Sequence, residues 1–254
     1  MSSELYGDLA EVRACEQRIV NCWPARSTLI FGGFAVRFAH GYSGRANSAS
    51  AIQTRAHLSE ADIAVIEQLY REAGLPPTFR DTPLMSRAMR KRLDRRGYVL
   101  KDASFGMIAD FTGVAFPRRT GVEIARKPGP EWLEGISRFQ TPEKRSPAHL
   151  EAIVGAIRVP AFFATARQGS RAIGFGYTAV DRGYAEIASV MLDPAARGQG
   201  IGRGMVETLL AEAAAAGATR GFLQVESNNR IARALYQKLG YRDLYHYETI
   251  WLKG

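Results

Sequence analysis

Cysteine is scarce in this chain of 254 residues, which contains only Cys15 and Cys22. Neither belongs to a pair with metal-ligand spacing, and two thiols cannot build a disulfide framework for a chain of this length. The four histidines are also scattered without such spacing, at His40, His57, His149 and His246. We therefore predict reduced cysteines, no metal site and a cytoplasmic location.

Long apolar runs are absent as well. No segment approaches the ~20 apolar residues that a helix needs to cross a bilayer. The start Met1-Ser2-Ser3-Glu4 is acidic and lacks the apolar core of a signal peptide. With 46% hydrophobic residues, the chain can still form two modest cores. We expect a soluble protein of two domains without a membrane partner.

What the chain does have is glycine at alternate positions, Gly198, Gly200, Gly202 and Gly204. Without side chains, backbone N–H groups can close around an anion, and a helix that follows offers free amides and the positive end of its dipole. The spacing does not match the dinucleotide fingerprint G-x-G-x-x-G, and the Gly-Lys-Ser/Thr of a P-loop is missing. The loop predicts a phosphate cradle of neither nucleotide-binding type.

The segments around this loop predict its structural context. Upstream, Tyr184–Leu192 is typical of a strand and is ended by the turn pair Asp193-Pro194. Downstream, apolar residues recur at helical spacing from Ile201 to Ala213. A second strand at 222–226 and a helix at 229–239 follow. The predicted order is strand, loop, helix, strand, helix.

The last of these helices has two distinct faces. Asn229, Ala232 and Tyr236 are spaced at i, i+3 and i+7 and therefore share one face. The other face is apolar, and we expect it to pack on the core: Ile231, Leu235 and Leu239. The first face is left for function.

At these two motifs the chain resembles the GCN5-related N-acetyltransferase (GNAT) family. The motifs are Arg197-x-x-Gly200-x-Gly202 and Asn229-x-x-Ala232-x-x-Leu235-Tyr236-x-x-x-Gly240-Tyr241. The resemblance covers about residues 120–254, and it is specific because order, spacing and structural context agree. The alternative is that the glycines only form a tight turn, with Asn229 as a helix cap and Tyr236 as a packed aromatic ring.

The resemblance implies a fold and a cofactor. The fold is α/β (α+β), with a mixed, mostly antiparallel sheet that is flanked by helices and contains a splayed pair of strands. The cofactor is acetyl-CoA, whose pyrophosphate would be held by the loop residues, with Arg197 adding charge at the entrance. The loop residues that supply backbone amides are Gly198, Gln199, Gly200, Ile201, Gly202 and Arg203.

The resemblance also implies how the rest of the cofactor is held. The strand through Val190, Met191 and Leu192 would pair with the pantetheine amides, and one of its N–H groups would face the developing oxyanion. Asn229 would bind the pantetheine arm from the other side, and Ala232 is small enough to let that arm pass. Tyr236 would act as the general acid that protonates the departing sulfur. These residues complete the implied set.

A base is needed because an alkyl amine, with a pKa near 10.4, is mostly protonated at neutral pH. Glu186 is our candidate, because its context resembles that of the strand glutamate that serves as base in some members. Other members use another residue or ordered water, and Glu226, Glu248 and Asp181 are weaker alternatives. The amine would attack directly in a ternary complex, without a covalent enzyme intermediate.

The two halves of the chain differ. We place the boundary between residues 118 and 119, with the GNAT catalytic domain at 119–254. The pattern Leu-Tyr-x-x-x-Gly-apolar at 235–241 also occurs at 69–75, so we interpret 1–118 as a smaller, degenerate repeat in a tandem protein. This half has nothing like Arg197-x-x-Gly200-x-Gly202, which predicts one cofactor site per chain.

Positive charge is in excess, with a net charge of +9 and six basic residues concentrated in the segment 87–96. A helix with such a run can bind nucleic acid, an acidic partner or the 3′-phosphate of coenzyme A. Because no aromatic residues are interleaved for base stacking, we interpret it as a solvated helix face and do not expect a nucleic-acid partner.

The resemblance implies an acetyl-CoA-dependent N-acetyltransferase that acetylates a primary amine. The sequence does not specify whether the acceptor is a small molecule, a peptide or a protein, and it leaves a homodimer open. The alternative from another class is a CoA-sensing or partner-binding module without turnover.

Overall fold

The computed structural model contains both helices and strands and describes residues 4–141 and 146–253. The helices are α1 (Leu9–Cys22), α2 (Glu60–Glu72), α3 (Arg87–Arg95), α4 (Pro130–Phe139), α5 (Pro147–Gly155), α6 (Ile201–Ala215) and α7 (Arg230–Lys238). The strands are β1 (Glu4–Leu5), β2 (Ser27–Phe31), β3 (Phe34–Phe38), β4 (Ala49–Ala51), β5 (Thr78–Asp81), β6 (Tyr98–Asp110), β7 (Val122–Ala125), β8 (Ala161–Gln168), β9 (Arg171–Asp181), β10 (Tyr184–Leu192), β11 (Arg220–Glu226) and β12 (Arg242–Leu252). Within these described residues, no helix has the length and apolar character needed to cross a membrane.

The chain divides into two compact units. The first contains the described residues of 1–107, 224–233 and 242–254, and the second contains 108–223 (with the same gap in the description) and 234–241. The strand β11 and the helix α7 therefore each contribute to both units. The boundary placed between residues 118 and 119 stays a prediction.

The second unit is built on the strands β7 to β11. The pairs β7/β8, β8/β9 and β9/β10 are antiparallel, whereas β10 and β11 are parallel. The crossover between the parallel strands is α6, which packs on β8, β9 and β10. Its predicted apolar positions Met205, Leu209 and Ala213 are buried. The expectation of a mixed, mostly antiparallel sheet flanked by helices is confirmed.

In the first unit the strands pair in the order β2-β3-β4-β5-β12-β6, and β1 also pairs with β12. The strands β2 and β3 form an antiparallel hairpin. The pair β4/β5 is parallel, and α2 lies between these strands in the chain. A strand-helix-strand crossover between parallel strands thus occurs in both units.

The two crossover helices begin differently. The hydroxyl of Ser59 accepts a hydrogen bond from the Asp62 N–H at 3.0 Å, and the Asp62 carboxylate accepts one from the Ser59 N–H at 3.1 Å. This capping box, together with Glu60, places negative charge and protein acceptors at the start of α2. An anion is therefore disfavoured there.

The pattern Leu-Tyr-x-x-x-Gly-apolar, shared by 69–75 and 235–241, does not lie on equivalent helices. Residues 69–75 begin on α2, which connects two parallel strands, whereas 235–241 begin on α7, which follows β11. The support for a tandem origin is instead the repeated parallel crossover, and that origin stays a proposal.

The basic segment 87–96 forms the predicted helix α3, but half of its cations are paired. Arg90 contacts both Asp81 and Glu248 through Nη1, at 2.6 and 2.8 Å. Arg92 pairs with Glu60, and Arg96 pairs with Glu60 and Glu67. The interpretation as a wholly solvated face is therefore wrong for these three arginines, which neutralise acidic groups of their own unit.

A buried ion pair lies inside the first unit. Arg80 donates from Nη1 and Nη2 to the two carboxylate oxygens of Glu16, at 2.7 and 2.9 Å, and both side chains are buried. Tyr245 and Gln224 also donate to Glu16, and the Arg80 guanidinium lies 4.3 Å from the centre of the Tyr247 ring. Burial acts to lower the pKa of Arg80, but the attraction of Glu16 outweighs it and raises that pKa.

Breaking this pair is expected to destabilise the protein strongly. Arg80→Met leaves the Glu16 carboxylate buried without its cation, which costs about 3–5 kcal/mol in comparable sites. Adding Glu16→Leu should recover much of the loss because no charge then remains buried. Urea unfolding of the three proteins tests this, and a loss below about 1 kcal/mol for Arg80→Met, the size typical of exposed pairs, would contradict it.

Candidate functional site

The strand β10 changes its pairing halfway along. It is in parallel register with β11 from Tyr184, opposite Arg220, to Ile187, opposite Leu223. Its register with β9 then shifts between Ala188 and Met191, where Ser189 has a φ of 52°. The irregular backbone at Ser189 is the point where β10 departs from regular pairing.

The residues beyond this point are Val190, Met191 and Leu192, which the sequence predicts to pair with the pantetheine amides. Met191 and Leu192 stay in register with β9, opposite Phe175 and Gly174. On the other edge, the described part of the chain supplies no strand partner at these positions. An extended ligand with amide groups can pair with such an edge as another strand would.

The glycine loop continues directly from this edge. Asp193 accepts a hydrogen bond from the Ala195 N–H at 3.0 Å and so fixes a short 3₁₀ turn at Pro194–Ala196. Gly198 and Gly200 then have φ values of 77° and 78°, which side chains rarely adopt. A Cβ at either position would meet nothing within 4 Å, so both glycines border open space.

The loop ends at the N-terminus of α6. Gly200 is the N-cap residue and has no side chain that could cap the helix. The first-turn N–H groups of Ile201, Gly202 and Arg203 therefore receive no hydrogen bond from a capping side chain. A Cβ at Gly202 would lie 2.9 Å from Leu192 Cδ1, which explains the glycine there by packing. Unlike α2, this helix presents open amides at the positive end of its dipole.

The side chains of Gln199 and Arg197 differ in whether they are available to bind an anion. Gln199 donates from Nε2 to the Ala195 carbonyl oxygen at 3.1 Å, so its side chain braces the loop. Arg197 is exposed at the entrance to the loop. The backbone of Gln199 and the charge of Arg197 are the groups that remain available to an anion.

The second motif lies on and before α7. Asn229 accepts a hydrogen bond through Oδ1 from the Ala232 N–H at 3.1 Å, which makes it the N-terminal cap of the helix and leaves its NH₂ group to donate elsewhere. Asn229 and Ala232 belong to the first unit, and Tyr236 belongs to the second, together with β10 and the glycine loop.

The prediction of which α7 residues pack on the core is wrong for Ile231 and confirmed for Leu239. Ile231 is 87% exposed, whereas Tyr236 is only 7% exposed and Leu239 is buried. Ala232, Tyr236 and Leu239 are spaced at i, i+4 and i+7, so they form one face. The face that carries Ala232 and Tyr236 is thus the packed face of this helix.

Tyr236 is held by a second tyrosine. The rings of Tyr236 and Tyr241 lie edge to face with centroids 5.8 Å apart. Burial raises the pKa of Tyr241 well above its ordinary value, and the neighbouring Tyr236 adds to the rise. Phe111 packs edge-on against Tyr241 from another side, at 5.5 Å. The Tyr236 ring therefore packs against an aromatic cluster formed by Tyr241 and Phe111.

Glu186 is fully buried in the sheet, with 0% of its surface exposed. It lies opposite Ala179 on β9 and opposite Phe222 on β11, one residue before the end of the parallel register. A carboxylate at this depth has no direct access to bulk solvent.

A cavity of ≈ 460 Å³ adjoins the glycine loop. Its wall includes Gln199, Gly200 and Arg203 of the loop and the first turn of α6, and Glu207 on the next turn. It also includes Arg119, which sequence reasoning did not connect with the loop. The available sequence signal was the spacing of Arg203 and Glu207 at i, i+4 on a helix.

A family model matches nearly the whole chain. It is described as "Probable histone acetyltransferase Rv0428c C-terminal", and it matches residues 9–250. Among curated proteins, the "Uncharacterized N-acetyltransferase YobR" of Bacillus subtilis (strain 168) is 25% identical over 247 residues, which are 93% of this chain and 98% of that protein.

Solved structures share the fold along the chain. A GCN5-related N-acetyltransferase from Kribbella flavida has a TM-score of 0.68 and 16% identity, and the similarity covers 98% of this chain and 97% of that one. A tandem GNAT protein from the clavulanic acid biosynthesis pathway has a TM-score of 0.58 and 12% identity, over 80% of this chain and 74% of that one. Similarity at these identities concerns the fold.

Proposed function

Because the chain belongs to the family described as probable histone acetyltransferase Rv0428c C-terminal, and is an N-acetyltransferase with the GNAT fold, we propose that it transfers the acetyl group of acetyl-CoA to a primary amine. The transfer occurs by direct attack within a ternary complex. Acetyl-CoA supplies an activated thioester, and the protein supplies binding, orientation and proton transfer.

One arrangement carries this proposal. The open edge of β10 leads directly into a loop with two positive-φ glycines and then into the uncapped N-terminus of α6. An edge that pairs with amides, followed by a cradle that binds phosphates, matches the order of groups along coenzyme A. The space that a Cβ would occupy at Gly198 and Gly200 is open to the ligand.

Acetyl-CoA would be held along the edge of β10, the glycine loop and the start of α6. Backbone amides from Gly198 to Arg203 would bind the pyrophosphate, and the exposed Arg197 would add positive charge. Val190, Met191 and Leu192 would pair with the pantetheine amides and supply the oxyanion N–H. Asn229 would use its NH₂ group for the same arm, since its Oδ1 caps α7.

Proton removal from the amine falls to Glu186 in this proposal. A fully buried carboxylate cannot touch a bulky acceptor, so an ordered water would pass the proton to it. The amine nitrogen would then attack the thioester carbon, so that the C–N bond forms and the C–S bond breaks. The nitrogen would lose its second proton to solvent, which balances the proton that Tyr236 gives to the sulfur and later regains.

The departing sulfur would take its proton from the Tyr236 hydroxyl. Because the ring of Tyr236 is buried against Tyr241, the hydroxyl is held in place and little rotational freedom is lost on reaction. Tyr236 is therefore the proposed general acid.

The acceptor class is a primary amine. The family description names histones, whose lysine side chains are such amines, and small molecules and peptides offer the same nucleophile. The net charge of +9 does not favour a strongly basic acceptor surface over a small amine.

Release of free thiol from acetyl-CoA across a panel of amines tests the proposal. The panel contains a polyamine, an amino acid, an aminoglycoside and a lysine peptide. We expect amine-dependent release with at least one acceptor. Tight acetyl-CoA binding without release for any amine class would instead favour the CoA-sensing or partner-binding module.

A further inference from the structure

The cavity beside the glycine loop is lined by more cations than anions. Its charged lining residues are Arg119, Arg167, Arg203 and Glu207. Arg167 is engaged by Glu131 at 2.6 Å and by Glu123 at 2.8 Å. Arg119 and Arg203 share a single carboxylate. The wall next to the loop therefore carries positive charge that the protein does not fully neutralise.

Arg119 is fixed to α6 at both its backbone and its side chain. Its N–H donates to the Thr208 hydroxyl at 2.9 Å, and its Nε and Nη2 contact Glu207 Oε2 at 2.8 and 2.7 Å. A Cβ at Gly204 would lie 3.1 Å from Arg119 Cγ, so this glycine lets the arginine stem cross the helix closely. Arg119 is thus pre-oriented although 88 residues separate it from Glu207.

Glu207 anchors both arginines. It is 3% exposed, and its Oε1 accepts a hydrogen bond from Arg203 Nε at 2.8 Å. Burial acts to raise the pKa of Glu207, but the hydrogen bonds from Arg119 and Arg203 outweigh it, so the pKa lies below its ordinary value. The carboxylate stays charged and holds both guanidinium groups.

The contacts with Glu207 do not use all the N–H donors of Arg119 and Arg203. Arg203 uses only Nε for Glu207, and Arg119 uses Nε and Nη2. Within residues 4–141 and 146–253, no protein acceptor contacts the other terminal nitrogens of these two side chains, which are each 51% exposed. Two oriented guanidinium groups with spare N–H donors favour a phosphate monoester over a neutral ligand.

We propose that this cavity binds the 3′-phosphorylated ribose end of the coenzyme, with Arg119 and Arg203 donating to the 3′-phosphate. The inference rests on the proposed function, because the cavity shares Gln199, Gly200 and Arg203 with the cradle. Its volume is in the range of small-molecule sites. The basic helix α3, considered from the sequence for the same role, already uses half of its cations on internal carboxylates.

Binding of coenzyme A and dephospho-coenzyme A to the full chain tests this by titration calorimetry. We expect the wild type to prefer coenzyme A by roughly tenfold or more, the usual effect of losing a hydrogen bond to a charged group. Arg119→Gln and Arg203→Gln should each reduce this preference and affect dephospho-coenzyme A less. The matched control is Arg118→Gln, since Arg118 pairs with Glu212 at 2.6 Å and does not line the cavity.

A second measurement avoids variants altogether. In the wild type, adenosine 3′,5′-bisphosphate should compete with coenzyme A better than adenosine 5′-diphosphate does. Equal binding of coenzyme A and dephospho-coenzyme A by the wild type overturns the inference. An unchanged preference for coenzyme A in folded Arg203→Gln also overturns the inference. If Arg119→Gln fails to fold, the test rests on Arg203→Gln. Binding of neither coenzyme by the wild type would instead overturn the proposed function.

Discussion

Gly200→Glu is expected to abolish detectable acetyl-CoA binding while the protein stays folded. Gly200 has a φ of 78° and caps α6 without a side chain. Glutamate would strain this backbone and would fill the open space in front of the helix amides. Its carboxylate would accept from those amides itself and repel the pyrophosphate.

Calorimetry provides the measurement for this variant. The wild type should bind one acetyl-CoA per chain, because the start of α2 is occupied by the Ser59 and Asp62 capping box. The matched control is Gly74→Glu, which places the same residue at another open, positive-φ glycine, with a φ of 67°. Unchanged affinity in folded Gly200→Glu, or two sites in the wild type, would refute the assignment of the cradle.

Tyr236→Phe is expected to lower kcat on the order of 10²-fold with little change in acetyl-CoA affinity. The substitution keeps the ring that packs on Tyr241 and removes only the proposed proton donor. Without that proton, the departing thiolate must leave as an anion. Steady-state kinetics with the best acceptor from the amine panel measures the effect.

Tyr241→Phe is the matched control for that experiment. Tyr241 is buried beside Tyr236, and its hydroxyl has no hydrogen-bond partner in the described part of the chain. Removing this hydroxyl should leave kcat nearly unchanged. Turnover at the wild-type rate in Tyr236→Phe would show that another group protonates the sulfur.

The region around the glycine loop is predictable from sequence because its signals are local. The strand Tyr184–Leu192 was bounded by the turn pair Asp193-Pro194, and the observed β10 has the same bounds. The helix that begins at Ile201 follows from its apolar spacing and the glycines before it. Turn chemistry and periodicity act over a few residues, so a single sequence contains them.

Long-range pairing is what the sequence does not reveal. The long strands β6 and β12 carry no turn pair that marks both ends, and their partners lie far away in the chain. The same holds for Arg119 and Glu207, which meet only because α6 packs on the sheet. The sequence also could not show that Arg90, Arg92 and Arg96 face carboxylates of distant segments.

The exposed Ile231 illustrates a further limit. Periodicity on a short helix defines two faces but does not say which one packs, and the aromatic Tyr236 decides this by burying its ring. The proposed site residue Tyr236 therefore lies on the face of α7 that packs on the core. A prediction that assigns one face to function and the other to the core cannot anticipate this.

Transfer of a ¹³C-labelled acetyl group from acetyl-CoA to an amine is the most direct test of the account. Mass spectrometry of the acceptor should show one labelled acetyl group on nitrogen for each free coenzyme A released, and Gly200→Glu should form none. Release of coenzyme A with all the label in acetate, or product formation by Gly200→Glu at the wild-type rate, would contradict an acetyltransferase site built on this loop.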